Sequence, residues 1–532
     1  MGNEYRQLVG LPRGNNKVFL AWRMLKKDKM QTSYVVQRRR KKEDWETVSE
    51  NIKNSTNYMD KTPTGDIFEY RVLKDSSPKN CSEVIEVDSG SKKSNTHFRM
   101  KLPFSFDNWG RKVVMGDLEN DGRIGFVTNF FKNDQIWLMA INAKGKELWK
   151  VNTSLPASGG WDGNPHHVPF FCWDIDNDGR TEVVFHHGGE VWSEKDDFYD
   201  KGRSGELLVI ADGQTGEIKK TTSWPAVKPR VMMTVGHLRG RDQPAAAVIL
   251  DETYGDVTIT AIDGASTDIL WQKNQERPAG HNLDVADINN DNIQEVIVGG
   301  ICYNGDGSQL WQAEPFGHTD MSKPANIDPE RPGLEVFYMV ESHNPGVYLV
   351  DYEGNTIFKE EYAHAHFGWL AKHTVEYKGL QMQASEDKRH GNNKEHHPVF
   401  LRDGTHWINL TDYQSKNLMP VQWDEGLETV FIHRKHKKIV SLDKEGELHS
   451  VPQGELPEKG RYGRNILLAD IVGDFRENIV TVDKENNELV VITNPAIAET
   501  KKLSPKEKFY YRHDRSQHGS GYYMYTPPHD LG

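Results

Sequence analysis

The residues best suited to chemistry lie in one segment, 165–189, with the sequence PHHVPFFCWDIDNDGRTEVVFHHGG. Its centre carries carboxylates at alternate positions, a glycine that permits a sharp turn and a later glutamate: Asp174, Asp176, Asp178, Gly179 and Glu182. Oxygen ligands in this order can converge on one hard cation, and calcium is the natural occupant. The apolar runs on either side, FFCW and EVVF, predict two antiparallel strands joined by the acidic loop.

Two histidine pairs flank this hairpin, His166 with His167 before it and His186 with His187 after it. An antiparallel hairpin brings its outer ends together, so the pairs are expected to share one pocket. Because side chains alternate along a strand, one member of each pair points elsewhere. We predict that His166 and His186, or their neighbours, supply a general base. A structural role stays open for any one of the 22 histidines in the chain.

Acidic turns recur further along the chain. A second complete set predicts another calcium site: Asp287, Asn289, Asp291 and Glu295. An incomplete set has Gly125 in place of the glutamate: Asp117, Glu119 and Asp121. A last set consists of Asp470, Asp474 and Glu477. Since Asp, Asn and Gly also form ordinary turns, calcium is predicted for the two complete sets and left open for the incomplete one.

Other side chains offer an acid, an anion contact or a metal ligand. Tyr254 and Tyr303 are candidate general acids, and Arg230 and Arg239 are candidates for a bidentate carboxylate contact. Packing tyrosines and surface arginines are the alternatives. A zinc site is weighed for a trio from consecutive repeats: His281, Cys302 and His318. Two histidine-rich runs are expected to line or rim a pocket: HAHFGWLAKH with His364, His366 and His373, and KRHGNNKEHH with His390, His396 and His397.

The elements that must position these residues are strands. Residues 1–95 contain short alternating segments and a polar linker, DSGSKKSN, and predict a small β-sandwich. It resembles a fibronectin type III module in which the strands YVVQR and FEYRV occupy opposite sheets. From 96 to 532 one unit recurs eight times: an apolar strand, an acidic or glycine turn, a second strand, and a third strand ending in a turn. The fold class is therefore all-β, with an eight-bladed propeller expected and a seven-bladed one as the alternative. Almost nothing between Met100 and Ala496 predicts a capped helix.

Composition limits the partners. The chain has 532 residues and a formal net charge of −12, which argues against nucleic acid as the main partner. Three cysteines, Cys81, Cys172 and Cys302, are too scattered for a disulfide framework. No apolar run reaches the length of a membrane span, and the start shows neither a signal peptide nor a myristoylation site. A mature form of a secreted or periplasmic protein is expected.

Several stretches together resemble the polysaccharide lyases built on a calcium-studded β-propeller, above all the rhamnogalacturonan lyases. The resemblance rests on RQLVGLPRGNNKVFLAWRML, AGHNLDVADINNDNIQEVIVGG, FGHTDMSKPANIDPERPGLEVFYMVES and NILLADIVGDFRENIV. It implies β-elimination at a uronate of an acidic polysaccharide, calcium as cofactor, a monomer, and pocket roles for His281 and His318. A catalytically silent carbohydrate-binding propeller is the alternative, but a pocket rich in imidazole favours the lyase.

Three departures from the rhamnogalacturonan lyases are similar to ulvan lyases and rhamnose-glucuronate lyases. The histidine pair His166 and His186 replaces a histidine and a lysine, and Lys323 stands where another histidine is expected. Near the end, RSQHGSGYYMY contains Arg515, His518, Gly519 and Tyr522 in an ulvan-type order. These departures predict a glucuronate-containing substrate rather than rhamnogalacturonan, with Lys323 contacting it.

Overall fold

The structure is a computed structural model. It describes residues 5–157, 168–188, 205–227, 231–252, 257–314, 317–386, 396–458, 460, 462, 466–517 and 525–527. Several residues with predicted roles lie outside these ranges: His166, His167, Arg230, Tyr254, His390, His518, Gly519 and Tyr522.

The N-terminal strands form two antiparallel sheets. The first contains β1 (Val9–Pro12), β2 (Lys17–Ala21) and β5 (Asn57–Lys61). The second contains β3 (Tyr34–Arg39), β4 (Glu46–Thr47), β6 (Ile67–Lys74), β7 (Ser77–Cys81) and β8 (Ile85–Asp88). One buried hydrophobic cluster joins both sheets, with Leu20 and Trp22 from one side and Val36, Phe68 and Tyr70 from the other. The sheets therefore pack face to face.

The expected placement of YVVQR and FEYRV on opposite sheets is wrong. These segments are β3 and β6, which pair directly, Val36 opposite Val72. A cross-strand ion pair supports this register, because Arg39 Nε lies 2.6 Å from a carboxylate oxygen of Glu69. Alternation alone assigns residues to faces and cannot say which strands are neighbours.

Eight four-stranded antiparallel sheets follow within the described residues. Sheet 1 contains β10 (Trp109–Gly116), β11 (Gly125–Lys132), β12 (Gln135–Ile141) and β13 (Glu147–Pro156). Sheet 2 contains β14 (Phe170–Trp173), β15 (Glu182–His187), β16 (Leu207–Asp212) and β17 (Ile218–Ser223). Sheet 3 contains β18 (Val231–Gly236), β19 (Ala246–Asp251), β20 (Val257–Asp263) and β21 (Ile269–Gln275). Sheet 4 contains β22 (Asp284–Ala286), β23 (Glu295–Val298), β24 (Ile301–Tyr303) and β25 (Gln309–Gln312).

The second half repeats this plan. Sheet 5 contains β26 (His318–Ala325), β27 (Glu335–Ser342), β28 (Gly346–Val350) and β29 (Thr356–Glu361). Sheet 6 contains β30 (Ala365–Ala371), β31 (Gln381–Glu386), β32 (Pro398–Phe400) and β33 (His406–Asn409). Sheet 7 contains β34 (Leu418–Val421), β35 (Val430–His433), β36 (Lys438–Leu442) and β37 (Leu448–Glu455). Sheet 8 contains β38 (Leu467–Ala469), β39 (Asn478–Asp483), β40 (Glu488–Ile492) and, from the start of the repeats, β9 (Thr96–Lys101).

Neighbouring sheets meet through their first strands. From sheet 1 to sheet 6 each first strand contacts the first strand of the next sheet, and β38 of sheet 8 contacts β10 of sheet 1. Sheets 7 and 8 share a buried cluster that contains Val421 and Leu468. The pairing of β9 with β40 joins the beginning of the repeats to their end. Strands such as β18 and β19 are buried at every residue, so neighbouring sheets cover both faces and the core lies between the sheets.

Two short α-helices occur in the described part of the chain. Helix α1 (Asp412–Asn417) interrupts the repeats and has a capping box formed by Thr411 and Gln414. The sequence TDYQ carries this capping pattern, so the prediction of almost no capped helix overlooked it. Helix α2 (Phe509–Ser516) contacts strands β10, β14 and β38. Within the described residues, neither helix combines the length and apolar character that a membrane span needs.

The N-terminal sheets are fastened to the repeats. Leu11 and Phe19 form a buried cluster with Val472 of the sheet 8 turn. Arg23 donates a 3.0 Å hydrogen bond to the carbonyl of Gly122 in the sheet 1 turn. These contacts combine apolar burial with hydrogen bonds.

Candidate active site

The repeated sheets place chemically active residues at two opposite ends. Every acidic loop follows a first strand: β10, β14, β22 or β38. The histidines instead lie where first strands begin or second strands end. His318 opens β26, His366 lies at the start of β30, and His186 lies near the end of β15. Because paired strands are antiparallel, these histidine positions share one end of the sheets.

The hairpin formed by β14 and β15 has the predicted register. Trp173 pairs with Glu182 next to the acidic loop, and Phe170 pairs with Phe185 near the other end. The backbone N–H of His186 reaches the carbonyl of Pro169, 3.4 Å away. The acidic loop and the second histidine pair therefore lie at opposite ends of one hairpin.

The ring of His186 lies in a closed environment. Its Nε2 is 3.0 Å from Oε2 of Glu206, and its ring stacks on Trp224 with centroids 3.9 Å apart. The side chain is 7% exposed. His187 is more open, and burial lowers the pKa of its imidazole. The proposed partners His166 and His167 lie outside the described residues, so their pairing with His186 and His187 stays a prediction.

Four other side chains from sheets 4 and 5 converge at the same end. The Nε2 atoms of His281 and His318 lie 3.0 Å apart. Nε2 of His318 is 3.2 Å from Oε2 of Glu341 and 3.7 Å from Oδ1 of Asp320. Nε2 of His281 is 3.9 Å from the same Asp320 oxygen. We call His281, His318, Asp320 and Glu341 the histidine–carboxylate cluster.

Two histidines of sheet 6 extend this cluster. Nε2 of His364 lies 3.3 Å from Oε1 of Glu341. Nδ1 of His366 contacts the second carboxylate oxygen of Asp320. Asp320 thus has one oxygen toward the two imidazoles of the cluster and the other toward His366. His366 and Glu341 are partly exposed, with 20% and 26% of their side chains accessible, so substrate can approach from that side.

Local structure explains why these residues meet. His318 and Asp320 lie at the start of β26, His366 lies at the start of β30 and His364 directly precedes that strand, so the ends of two neighbouring first strands bring these side chains together. His281 is carried by a segment that runs beside β26, where its N–H donates a 2.8 Å hydrogen bond to the carbonyl of Thr319. Oε1 of Glu252 lies 3.9 Å from Nδ1 of His318, on the far side of the ring from the cluster.

The cluster suits a divalent cation. Two ring nitrogens 3.0 Å apart can share one hydrogen bond, but two nearby carboxylates then add negative charge that a bound cation would balance. Two imidazoles and two carboxylates are a donor set that divalent metals accept. Cys302, which was weighed as a zinc ligand together with His281 and His318, packs instead in a hydrophobic cluster with Ile297 and Val336. Asp320 and Glu341 take its place.

The acidic loops share one backbone geometry. Their first aspartate accepts hydrogen bonds from two backbone N–H groups four to five residues later, as Asp174 does from Asp178 and Gly179, and Asp287 from Asp291 and Asn292. The closing glutamate accepts one from the residue after that aspartate: Glu182 from Ile175 and Glu295 from Ile288. Gly179 has φ +86°, and Asn292 has φ +71° at the corresponding position of the sheet 4 loop.

The sheet 2 loop holds a protein cation. The Nζ atom of Lys219, from β17, lies 3.0 Å from Asp176, 3.0 Å from Asp178 and 2.8 Å from Glu182. This ammonium occupies the position on which the carboxylates converge and stands where a metal cation is predicted. Burial raises the pKa of Glu182 to about 7, although Lys219 opposes this shift.

The sheet 4 loop differs in this respect. Among the described residues, no lysine or arginine forms an ion pair with Asp287, Asp291 or Glu295. Burial, followed by repulsion from Asp291 and Asp287, raises the pKa of Glu295 to about 8. Three carboxylates without a protein cation fit calcium better than the sheet 2 loop does.

The remaining two loops depart from the pattern. In the sheet 1 loop, Arg123 pairs with Asp121 and lies 3.5 Å from Glu119, so a guanidinium already balances that set. In the sheet 8 loop, Asn478 closes the turn by accepting from Ile471. Glu477 points instead toward Arg515 of α2, at 3.0 Å.

Three further candidates lie elsewhere. Arg239 pairs with Asp263 at the acidic-loop end of sheet 3. The hydroxyl of Tyr303 donates a 2.9 Å hydrogen bond to Gln275, and its ring packs in the core of sheets 3 and 4. Lys323 pairs with Asp514 of α2. None of the contacts just described joins Arg239, Tyr303 or Lys323 to the histidine–carboxylate cluster. The sequence patterns did not identify Asp320, Glu341 or Glu252 as candidates.

Replacing Lys219 with methionine is expected to raise the calcium affinity of the sheet 2 loop at least tenfold, roughly 1.4 kcal/mol. The change removes the ammonium that competes for Asp176, Asp178 and Glu182. Calorimetric titration of EDTA-treated protein measures it. Lys359→Met is the matched control, because the Lys359 ammonium pairs with Glu314 at 2.8 Å and does not contact this loop. Equal affinity in wild type and Lys219→Met would show that lysine and calcium do not compete.

Comparison with known families decides the class. The family model described as rhamnogalacturonan lyase family 11, C-terminal domain, matches residues 246–530, more than half of the chain. The chain belongs to rhamnogalacturonan lyase family 11. A second model, the rhamnogalacturonan I lyases beta-sheet domain, matches residues 2–87. The histidine–carboxylate cluster lies entirely within the first match.

Individual relatives agree with this family. Rhamnogalacturonan exolyase YesX of Bacillus subtilis is 24% identical over 563 residues, covering 92% of this chain and 89% of YesX. Rhamnogalacturonan endolyase YesW of the same organism is 23% identical over 570 residues, covering 92% and 85%. The crystal structure of YesX matches with TM-score 0.79 and 20% identity, covering 100% of this chain and 98% of that one. The Bacillus licheniformis rhamnogalacturonan lyase PL11 matches with TM-score 0.79 and 22% identity, covering 98% and 95%.

This family 11 protein is a polysaccharide lyase with a nearly all-β fold. The expected resemblance to rhamnogalacturonan lyases is confirmed. The matches give no support to ulvan lyases or rhamnose-glucuronate lyases, nor to the predicted preference for glucuronate. Two of the departures that favoured those classes are now located. His186 is a buried imidazole beside Glu206, and Lys323 forms an ion pair with Asp514 of α2.

Proposed function

We propose that this lyase cleaves the backbone of rhamnogalacturonan by β-elimination and that the histidine–carboxylate cluster, with His366, is its catalytic centre. The convergence of His281, His318, Asp320 and Glu341 carries this proposal. The names of the relatives supply the substrate class, since both act on rhamnogalacturonan. The substrate is then an acidic polysaccharide. Such a polymer is encountered outside the cytoplasm, so we also propose a secreted or periplasmic location.

The reaction has three requirements. The uronate carboxylate must be neutralised so that the C5 proton becomes acidic, a base must take that proton, and the C4–O4 bond must break. The C5–H electron pair becomes the C4–C5 double bond, and the C4–O4 pair leaves with O4, which is then protonated. The product carries an unsaturated uronate at its new non-reducing end.

His366 is the side chain that we assign as base. Its Nδ1 contacts Asp320, and this contact fixes the ring so that Nε2 is the nitrogen to accept the C5 proton. Asp320 also stabilises the imidazolium that forms, as a carboxylate does beside a catalytic histidine. His364, held by Glu341, lies next to His366 with ring centroids 5.4 Å apart and lines the same approach.

His281, His318, Asp320 and Glu341 would hold a divalent cation in this scheme. Such a cation supplies charge neutralisation of the uronate carboxylate. Glu252 orients the ring of His318 from behind, as groups behind a metal-ligating histidine do. Calcium at the sheet 4 loop is a separate proposal with a structural role, because that loop lies at the opposite end of the sheets.

The eight four-stranded sheets support an eight-bladed β-propeller spanning residues 96–532, preceded by a fibronectin type III-like sandwich and linker in residues 1–95. Contacts between successive first strands and the pairing of β9 with β40 are the supporting observations. In a propeller the first strands surround the central axis, and sites form at the ends of those strands.

Ultraviolet absorbance of the unsaturated uronate tests the function. Wild-type enzyme is mixed separately with rhamnogalacturonan I backbone, ulvan and a rhamnose-glucuronate polymer. A rise with rhamnogalacturonan I alone is the expected result. A rise only with a glucuronate polymer would overturn the substrate and keep the lyase reaction. Analysis of product length then separates endo from exo cleavage.

A further inference from the structure

A second group of metal-ligating side chains lies outside the catalytic centre. Glu360 belongs to β29, the last strand of sheet 5, and His406 opens β33, the last strand of sheet 6. His396 precedes β32 of sheet 6. The group therefore joins the last strand of sheet 5 to the third and fourth strands of sheet 6, whereas the catalytic centre lies where first strands begin and second strands end.

One carboxylate receives both imidazoles. Nε2 of His396 contacts Oε1 of Glu360, and Nε2 of His406 lies 2.5 Å from Oε2 of the same side chain. The two rings are 5.8 Å apart between centroids. In both histidines Nε2 is the ring nitrogen farther from the backbone. Small side-chain rotations can therefore separate the two Nε2 atoms while both still face the Glu360 carboxylate.

The backbone and neighbouring rings hold these side chains in place. Glu360 is paired with Val347 across β28 and β29, and His406 with Phe400 across β32 and β33. The ring of Phe400 meets that of His406 edge to face at 5.0 Å, and Tyr362 lies 4.9 Å from His396. Ordered strands and packed rings reduce the entropy that a ligand would have to remove.

Two surface ion pairs are the alternative interpretation. An exposed pair of this kind contributes little to stability, and it needs only one histidine for each carboxylate. A matched example exists in sheet 7, where His449 lies 2.6 Å from Asp443 with no second imidazole in the pair. The group in sheets 5 and 6 has two imidazoles on one carboxylate, and 28% of the Glu360 side chain is open to solvent.

We propose that Glu360, His396 and His406 bind a zinc ion that fastens the outer edge of sheet 5 to sheet 6. Two histidines and one carboxylate are a recurrent zinc ligand set, with a fourth position left to water. Both Nε2 atoms coordinate as neutral imidazole, with the ring proton on Nδ1. Zinc then stabilises the folded state, because the ligands come from two sheets and are together only when both are folded.

The test counts zinc ions. EDTA-treated protein is returned to buffer with calcium and titrated with zinc chloride in a calorimeter, and bound zinc is measured by elemental analysis. His406→Ala and Glu360→Gln are each expected to bind one equivalent less than wild type, while His449→Ala binds the same amount. The difference in bound zinc between wild type and variant does not include zinc held by the histidine–carboxylate cluster, because that cluster is present in both proteins.

Two further measurements make the result decisive. Melting temperatures without zinc verify that each variant is folded, and zinc is expected to raise the melting temperature of wild type more than that of His406→Ala. Anomalous scattering at the zinc edge from soaked crystals should give a peak between the two rings. Equal zinc content in wild type and both variants, or a peak only at the catalytic centre, would overturn the proposal. Neither outcome bears on lyase activity.

Discussion

Replacing Asp320 with asparagine is expected to lower kcat by roughly 10²- to 10³-fold while the protein stays folded. The substitution keeps the shape of the side chain and removes its charge. Asp320 contacts His366 through one oxygen and lies 3.7 Å from His318 through the other. One change therefore weakens both the orientation of the base and the cation-binding set. Initial rates on rhamnogalacturonan I, followed by ultraviolet absorbance, measure the effect.

Asp443→Asn is the control for this substitution. Asp443 also pairs with a histidine, but the pair lies in sheet 7 and is exposed. Its replacement is expected to leave kcat unchanged. If Asp320→Asn is folded and as active as wild type, the histidine–carboxylate cluster is not the catalytic centre.

Removal of calcium is expected to destabilise the protein, and more so at higher pH. The folded-state pKa of Glu295 is about 8, above its ordinary value of 4.5. A carboxyl with a raised pKa contributes stability below about pH 4.5, and that contribution is lost as the pH rises through 8. EDTA-treated protein should therefore melt at progressively lower temperature between about pH 5 and pH 8. Bound calcium stabilises the carboxylate and should abolish this loss.

Glu295→Gln isolates this loop from other titrating groups. Glutamine still accepts a hydrogen bond from the N–H of Ile288 but does not titrate. Without calcium, the difference in melting temperature between wild type and this variant should change with pH, and calcium should raise the variant's melting temperature less. The exposed Glu445→Gln serves as control. A calcium response of equal size in Glu295→Gln and wild type would exclude the sheet 4 loop as a site.

The acidic loops show what a local pattern can predict. Alternating carboxylates and a later glutamate correctly indicated turns in which Asp174 and Asp287 accept backbone hydrogen bonds. The pattern could not indicate which loops already contain a protein cation. Lys219 comes from β17, two strands beyond the loop that it enters, and only tertiary structure brings it there.

The members of the histidine–carboxylate cluster were likewise predicted only in part from the sequence. His281, His318, His364 and His366 were all candidates from the sequence, and the structure brings them together. Asp320 was overlooked although it stands two residues after His318 at the start of the same strand. Glu341 lies at the far end of the neighbouring strand, and only antiparallel pairing reveals it.

Helix α2 had no sequence pattern that would have identified it. It begins after Lys508 without a side-chain cap, and tertiary contacts stabilise it. Tyr511 accepts a 2.7 Å hydrogen bond from the N–H of Asp470, and Arg515 pairs with Glu477. Packing stabilises such short helices more than propensity does, so single-sequence reasoning misses them.

The identity of the base is the most direct test of the catalytic assignment. Initial rates of His366→Gln and His186→Gln are compared on rhamnogalacturonan I, since glutamine can hydrogen-bond but cannot take a proton. We expect His366→Gln to lose at least about 10²-fold in kcat and His186→Gln to stay within a few-fold of wild type. The reverse order, with both variants folded, would contradict the assignment and return the base to the hairpin of His166 and His186.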